Sequence, residues 1–310
     1  MLRFARALAA TGGRVLLPEI PDWTNLRFAP QRAQNVLRGA VEWLDRAPGT
    51  APGGVLLVGF SFGAPQVLLA ASDTELAPRL RGVVAWGGYA DLERTLRFTF
   101  TGEHRWRGAS HRLLPDPYAR WIMGANCLPH VPALRHHRAV IEALHSLAFE
   151  AGERQVDAED PSLDGIKEAL RSVLRPEDQS VFDQFVPPKT DGDVTPSWTE
   201  GRGAQALIDS IAAEMTRARE SESPRLHEVT PQIERISVPV RLLHGRSDRL
   251  IPYTETLHLE EILRSRAPDL SVRVLGLFGH SGGDHGPGLL RKAVENLQFL
   301  EALAMVFRMA

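Results

Sequence analysis

One cysteine in 310 residues leaves no partner for an intramolecular disulfide. Cys127 therefore fits a reducing compartment, the cytoplasm, where its expected part is that of a small buried hydrophobe. No stretch reaches the roughly 18 apolar residues that cross a bilayer, so no membrane span is expected. The opening residues, Met1-Leu2-Arg3-Phe4-Ala5-Arg6-Ala7-Leu8, lack the longer apolar region of a secretory signal and look like an amphipathic helix instead. There is little charge of one sign: 36 basic residues against 38 acidic ones give a formal net charge of −2. Neither nucleic acid nor an anionic membrane is an expected partner at that balance. No internal repeat or low-complexity run appears. His104, His111, His130, His136, His137 and His145 show no helical or short-loop metal spacing with a third ligand, which leaves no metal site to expect.

What is present suits a folded α/β protein. Apolar residues make up 43% of the chain and charged ones 24%, enough to bury a large core. The first helix puts Leu2, Ala5, Leu8 and Ala9 on one face and stops at Gly12-Gly13. Val15-Leu16-Leu17 reads as a buried strand, closed by Pro18 and Pro21. From Pro30 to Arg46, apolar residues at Val36, Ala40, Val41 and Leu44 predict a helix. Val55-Leu56-Leu57-Val58 and Val83-Val84-Ala85-Trp86 read as strands around a helix bearing Ala64, Val67, Leu68 and Ala71. Alternation at this rhythm argues for a mostly parallel sheet covered on both faces.

The rhythm breaks between residues 89 and 236, where the periodic pieces are helical. Val140, Ile141, Leu144, Leu147 and Ala148 form one face. Leu163, Ile166, Leu170 and Val173 form a second, ended by Pro176. Leu207, Ile208, Ile211 and Met215 form a third, after a polar, turn-rich connection from Pro187 to Gly203. This stretch reads as a helical insertion, a lid or cap, on a core of residues 1–88 and 237–310. Trp106, Tyr118, Trp121 and Trp198 there serve equally well as pocket lining or as packing. The α/β pattern resumes with a strand over Val238–Gly245, a helix over Tyr253–Ser265 and a last strand over Ser271–Phe278. A closing helix carries Leu290, Ala293, Leu297, Leu300, Ala304 and Phe307 on one face.

The chemistry centres on Gly59-Phe60-Ser61-Phe62-Gly63, between a strand and a helix. A serine on so tight a turn is held in a strained backbone, and side chains at the flanking positions would collide with neighbouring backbone. The following helix directs free N–H groups at the reacting centre, and the N–H of Phe62 lies where an oxyanion would develop. Glycine-rich βα turns also occur without catalysis, so the partners decide. Asp248 follows the strand ending His244-Gly245, and His280 follows the last strand. Both sit past carboxyl ends of parallel strands, where open sheets build their sites. A serine hydroxyl needs an imidazole to take its proton, and the imidazole needs a carboxylate to fix its tautomer. Asp91, after Gly87-Gly88, is the alternative acid, and His285 the alternative base. His244 reads as a structural hydrogen-bonding residue.

The serine elbow, the His244-Gly245-Arg246-Ser247-Asp248 turn and the Gly279-His280 turn, with the strand–helix order, resemble the α/β-hydrolase superfamily with a helical cap. The resemblance covers residues 1–88 and 237–310. It implies Ser61 as nucleophile, His280 as base and Asp248 as its orienter. It also implies that the reaction is acyl transfer from a small-molecule acyl substrate to water, with no cofactor. Peptidase and thioesterase activities use the same machinery. One departure matters. In that superfamily the strand before the first helix ends in a turn, often His-Gly, that donates the second oxyanion hydrogen bond, and here the chain begins inside the helix. The expected fold is thus N-terminally shortened. Three explanations stand: a start codon set too far downstream, which we favour, a rearranged sheet, or a weak catalyst. Two function classes follow, a serine hydrolase and a catalytically weak binding or scaffold protein on the same fold.

Overall fold

The computed structural model describes residues 2–10, 12–50, 54–187, 206, 208–211, 213, 230–276, 300–304 and 306–308. In chain order the principal elements are α1 (Leu2–Ala9), α2 (Pro30–Asp45), β1 (Val55–Phe60), α3 (Gly63–Ala71), β2 (Leu80–Trp86), α4 (Leu92–Thr101), β3 (Glu103–Trp106), β4 (Ala109–Arg112), α5 (Pro117–Cys127), α6 (Arg138–Arg154), α7 (Asp164–Ser172), α8 (Pro176–Phe185), β5 (Val240–Gly245), α9 (Thr254–Leu263) and β6 (Leu270–Leu275). They form two compact units. One comprises Met1–Pro21, Ala29–Asp91 and Glu228–Ala310, the other Asp22–Phe28 and Leu92–His227.

The first unit is built on four strands in the order β1-β2-β5-β6, every neighbouring pair parallel. Short runs of valine and leucine suit such strands, because a parallel sheet covered on both faces favours near-continuous apolar runs. Alternation sorts the residues. Leu56, Val58, Phe60, Val84, Trp86, Leu243 and Leu275 pack in one cluster with Phe4 and Leu8 of α1 and with Ala302, Leu303, Val306 and Phe307. Val55, Leu57, Val83, Ala85 and Leu242, one residue out of phase, are buried as well. α3 packs against β1 and β2, and α2 against α3. All nine residues of α3 are buried, so it is a core helix rather than an amphipathic one.

Two expectations for this unit fail. Val15-Leu16-Leu17 is not a strand: the segment is irregular, with Val15 36% and Leu17 46% exposed. Among the described residues no strand pairs with the outer edge of β1, and this apolar triplet does not fill that edge. The closing helix turns a partly different face inward: Phe307 packs on the core as expected, but the buried positions are Ala302 and Val306, and Leu300 is 58% exposed. Leu290, Ala293 and Leu297 lie outside the described residues, as does the end of the expected last strand at Phe278.

The second unit is mainly helical. Phe98 and Phe100 of α4, Trp121 of α5, Leu144 and Leu147 of α6, and Phe182 and Phe185 of α8 are all buried. Phe100 meets Phe185 edge to face at 5.6 Å. Asp116 caps α5 by accepting from the Tyr118 amide at 3.0 Å, and Pro117 takes the first helical position, where its missing N–H costs nothing. His137 Nδ1 bonds Asp178 Oδ1 at 2.6 Å, joining the start of α6 to α8. α7 forms as its period predicts, but it buries no residue fully and Val173 is 80% exposed. Ile208 and Ile211 are buried, while Leu207, Met215 and most of the Pro187–Gly203 connection lie outside the described residues.

The unit also holds an antiparallel hairpin, β3–β4, where the sequence period suggests helices only. Its two-residue turn has Arg107 at φ 48° and Gly108 at φ 81°, the paired left-handed conformation that matches strand twist. Cys127 is a free, partly buried thiol that burial pushes up to about 12.

Candidate functional site

β1 ends at Phe60 and α3 begins at Gly63, so the chain reverses across two residues. Ser61, between them, has φ 51°, a left-handed conformation that costs a residue bearing Cβ on the order of 1–3 kcal/mol. The conformation is held from both sides. The Ser61 N–H donates to Trp86 O at 2.8 Å, and the Ser61 carbonyl accepts from the Ala64 N–H at 2.9 Å. A Cβ on Gly59 would lie 2.3 Å from Gly63 O and 2.7 Å from Val67 Cγ2. Strand and helix therefore approach so closely that only glycine fits at residue 59. Phe62 occupies the N-cap of α3 at φ −56°, with no side-chain cap. Its N–H belongs to the positive end of the helix dipole, where a developing anion is stabilised.

Gly88, beyond β2, is constrained by the same helix: a Cβ there would lie 2.6 Å from Ala64 Cβ. The Gly87–Asp91 turn thus lies against the start of α3. Tyr89, 1% exposed, places its ring 6.2 Å from that of Phe62.

Asp248 lies in the loop after β5 and is 3% exposed. Its Oδ1 accepts from the amides of Leu250 at 2.9 Å and Ile251 at 3.1 Å, which fixes the carboxylate against its own loop. His244, fully buried at the end of β5, braces that loop. Its Nε2 donates to Ile251 O at 2.9 Å and lies 3.4 Å from Asp248 Oδ2, while its Nδ1 is hydrogen-bonded with the Thr256 hydroxyl at 2.6 Å. The carbonyl can only accept, which places a ring proton on Nε2. His244 is the structural hydrogen-bonding residue that its position suggests.

Asp91 is 9% exposed, and its backbone N–H, with that of Ala90, donates to Glu255 Oε2 at 2.9 and 3.0 Å. Because β1, β2 and β5 are consecutive in the sheet, Ser61, Asp91 and Asp248 all follow carboxyl ends at one rim. At about 4.8 Å per strand step, β1 and β5 lie about 10 Å apart. His280 and His285, the base and its alternative, lie outside the described residues. No group of three metal-ligating side chains occurs among the described residues. Sequence reasoning missed the buried run Thr254-Glu255-Thr256 at the start of α9, because nothing local marks polar side chains there for burial.

No protein-family model matches this chain, and no curated protein matches it. Solved structures do. A bromoperoxidase from Bacillus anthracis is similar over 99% of this chain and 86% of its own, at 17% identity and a TM-score of 0.41. A monoacylglycerol lipase from Paleococcus ferrophilus is similar over 89% and 75%, at 14% identity and a TM-score of 0.34. An acylaminoacyl peptidase from Pyrococcus horikoshii is similar over 87% of this chain, at 12% identity and a TM-score of 0.37, and the chain spans 27% of that protein's length. At these identities and scores the likenesses carry no argument about activity. The chain is an α/β protein with a mostly parallel sheet flanked by helices, and the solved structures it is similar to are α/β-hydrolase-fold members.

Proposed function

We propose that this chain is a serine hydrolase that cleaves a carboxylic ester or a related acyl compound. Ser61 Oγ attacks the carbonyl carbon while His280 takes its proton, and the tetrahedral oxyanion accepts from the Phe62 N–H. Collapse expels the alcohol, which receives the proton from His280 and leaves Ser61 acylated. Water, deprotonated by the same imidazole, then releases the acid and restores the serine. Asp248 orients the imidazole and stabilises its protonated form. The reading calls for no metal or cofactor.

The observation that carries this reading is the left-handed Ser61 at the strand-to-helix reversal. Glycine or asparagine would adopt this conformation with less strain, so a serine there points to a use for the hydroxyl. The buried carboxylate of Asp248, fixed by two backbone amides, suits the orienting role.

A fluorophosphonate probe tests the proposal. Wild-type protein is expected to be labelled, Ser61→Ala unlabelled, and His280→Ala strongly reduced with His285→Ala near wild type. Folded wild-type protein that takes no label overturns the enzyme and favours a binding or scaffold role. A panel of acyl esters of increasing chain length then defines the acyl preference.

A further inference from the structure

We propose that Glu255 is a positioning residue for the elbow, acting through the turn that follows β2; the inference rests on the reading of Ser61 as nucleophile. Glu255 is 1% exposed in the first turn of α9. A buried carboxylate is costly unless its charge is met by donors. Here Oε2 accepts two backbone N–H groups, from Ala90 at 3.0 Å and Asp91 at 2.9 Å. Hydrogen bonds to an ionised acceptor are roughly twice as strong as neutral ones. The far end of the same turn is pinned where the Gly87 N–H donates to Leu243 O at 2.8 Å.

Between those two anchors lie Gly88, in contact with Ala64, and Tyr89, whose ring faces that of Phe62. The turn is therefore held against Phe62 and Ala64, one and three residues after the nucleophile. Glu255 also belongs to the acid side of the rim, because its own N–H donates to Pro252 O at 2.9 Å, one residue beyond Ile251. A single carboxylate thus ties the loop carrying Asp248 to the turn beside the elbow. Removing it frees one end of that turn and lets Tyr89 shift, with Phe62 and its N–H following. Since a displacement on the order of 1 Å can cost about a hundredfold in rate, the effect belongs in the chemical step rather than in binding.

The test uses the full chain and the same fluorophosphonate probe, with the labelling rate constant separated from the probe's reversible binding constant. Glu255→Ala is expected to lower the rate constant by about tenfold to a hundredfold and leave the binding constant within about twofold. Glu255→Gln, whose amide oxygen can still accept both N–H groups, is expected to restore most of the lost rate. Should Glu255→Ala not fold, Glu255→Asp, shorter by one methylene, is read in the same way and is also expected to be slow. Wild-type rates in a folded Glu255→Ala or Glu255→Asp overturn the inference while leaving Ser61 as nucleophile. A rate loss shared equally by Glu255→Gln overturns it too. An unlabelled wild type removes the nucleophile itself, a distinct result that takes this inference with it.

Discussion

Replacing Ser61 by glycine should make the protein more stable while removing the proposed nucleophile. At φ 51° a residue with Cβ carries on the order of 1–2 kcal/mol of strain that glycine does not. Glycine gives back part of that gain through its freer unfolded chain, about 0.5–1 kcal/mol. Ser61 is only half-buried and its retained backbone bonds to Trp86 and Ala64 need no side chain, so little packing is lost. The net expectation is a gain of about 0.5–1 kcal/mol, or roughly 1–4 °C in Tm for a unit of this size. Ser61→Ala is the control. It also lacks the hydroxyl but keeps Cβ, so its stability should match wild type. Urea unfolding of the three proteins, fitted with a common slope, measures the difference. A Ser61→Gly protein no more stable than Ser61→Ala refutes the claim that the elbow is strained.

Other perturbations follow the same logic. Gly59→Ala puts a Cβ 2.3 Å from a backbone oxygen, so at least about 2–3 kcal/mol should be lost in urea unfolding, together with probe labelling. His244→Ala strands the Thr256 hydroxyl and the Ile251 carbonyl, for a loss of about 2–4 kcal/mol; unchanged stability counts against the brace. Burial, aided by neighbouring His111, holds the His104 imidazole down at about 4. Between its ordinary value near 6.5 and about 4 the unfolded chain takes up a proton that the folded hairpin refuses, so stability is full above that window and falls as pH drops through it. The loss has a ceiling of about 3 kcal/mol before solvent screening, and His104→Phe should flatten that limb of the pH–stability curve.

The parts of the fold legible in the sequence are those whose cause is local. The run at β1 is apolar throughout, and β2 and β5 depart from that only at Arg81, Arg241 and His244, because both faces of the sheet are covered; the serine turn is legible because its glycines answer a clash within eight residues. Val15-Leu16-Leu17 shows the opposite case. Its composition suits a strand, but a strand exists only where a partner does, and no period in the sequence reports the partner. The β3–β4 hairpin is masked by charged residues at Glu103, Arg105 and Arg112, and its signal is the Arg107-Gly108 turn. At the site, Ser61 and Asp248 stand out because each lies beside a glycine-marked strand end. Thr256 and Glu255 do not, since their partners, His244 and the amides of Ala90 and Asp91, lie on other elements. Burial of a polar side chain is settled by those distant groups.

Residues 59, 64 and 88 are small where β1, α3 and the turn beyond β2 come together. β1 and α3 there meet backbone to backbone, and only the Ala64 methyl stands between α3 and the turn, as in a joint cut almost without a spacer. The serine inherits its coordinates from that joint and not from an adjustable side chain. A library built to alter the specificity of the proposed hydrolase can therefore vary the outlying contacts, but enlarging any of these three residues moves the Ser61 hydroxyl itself.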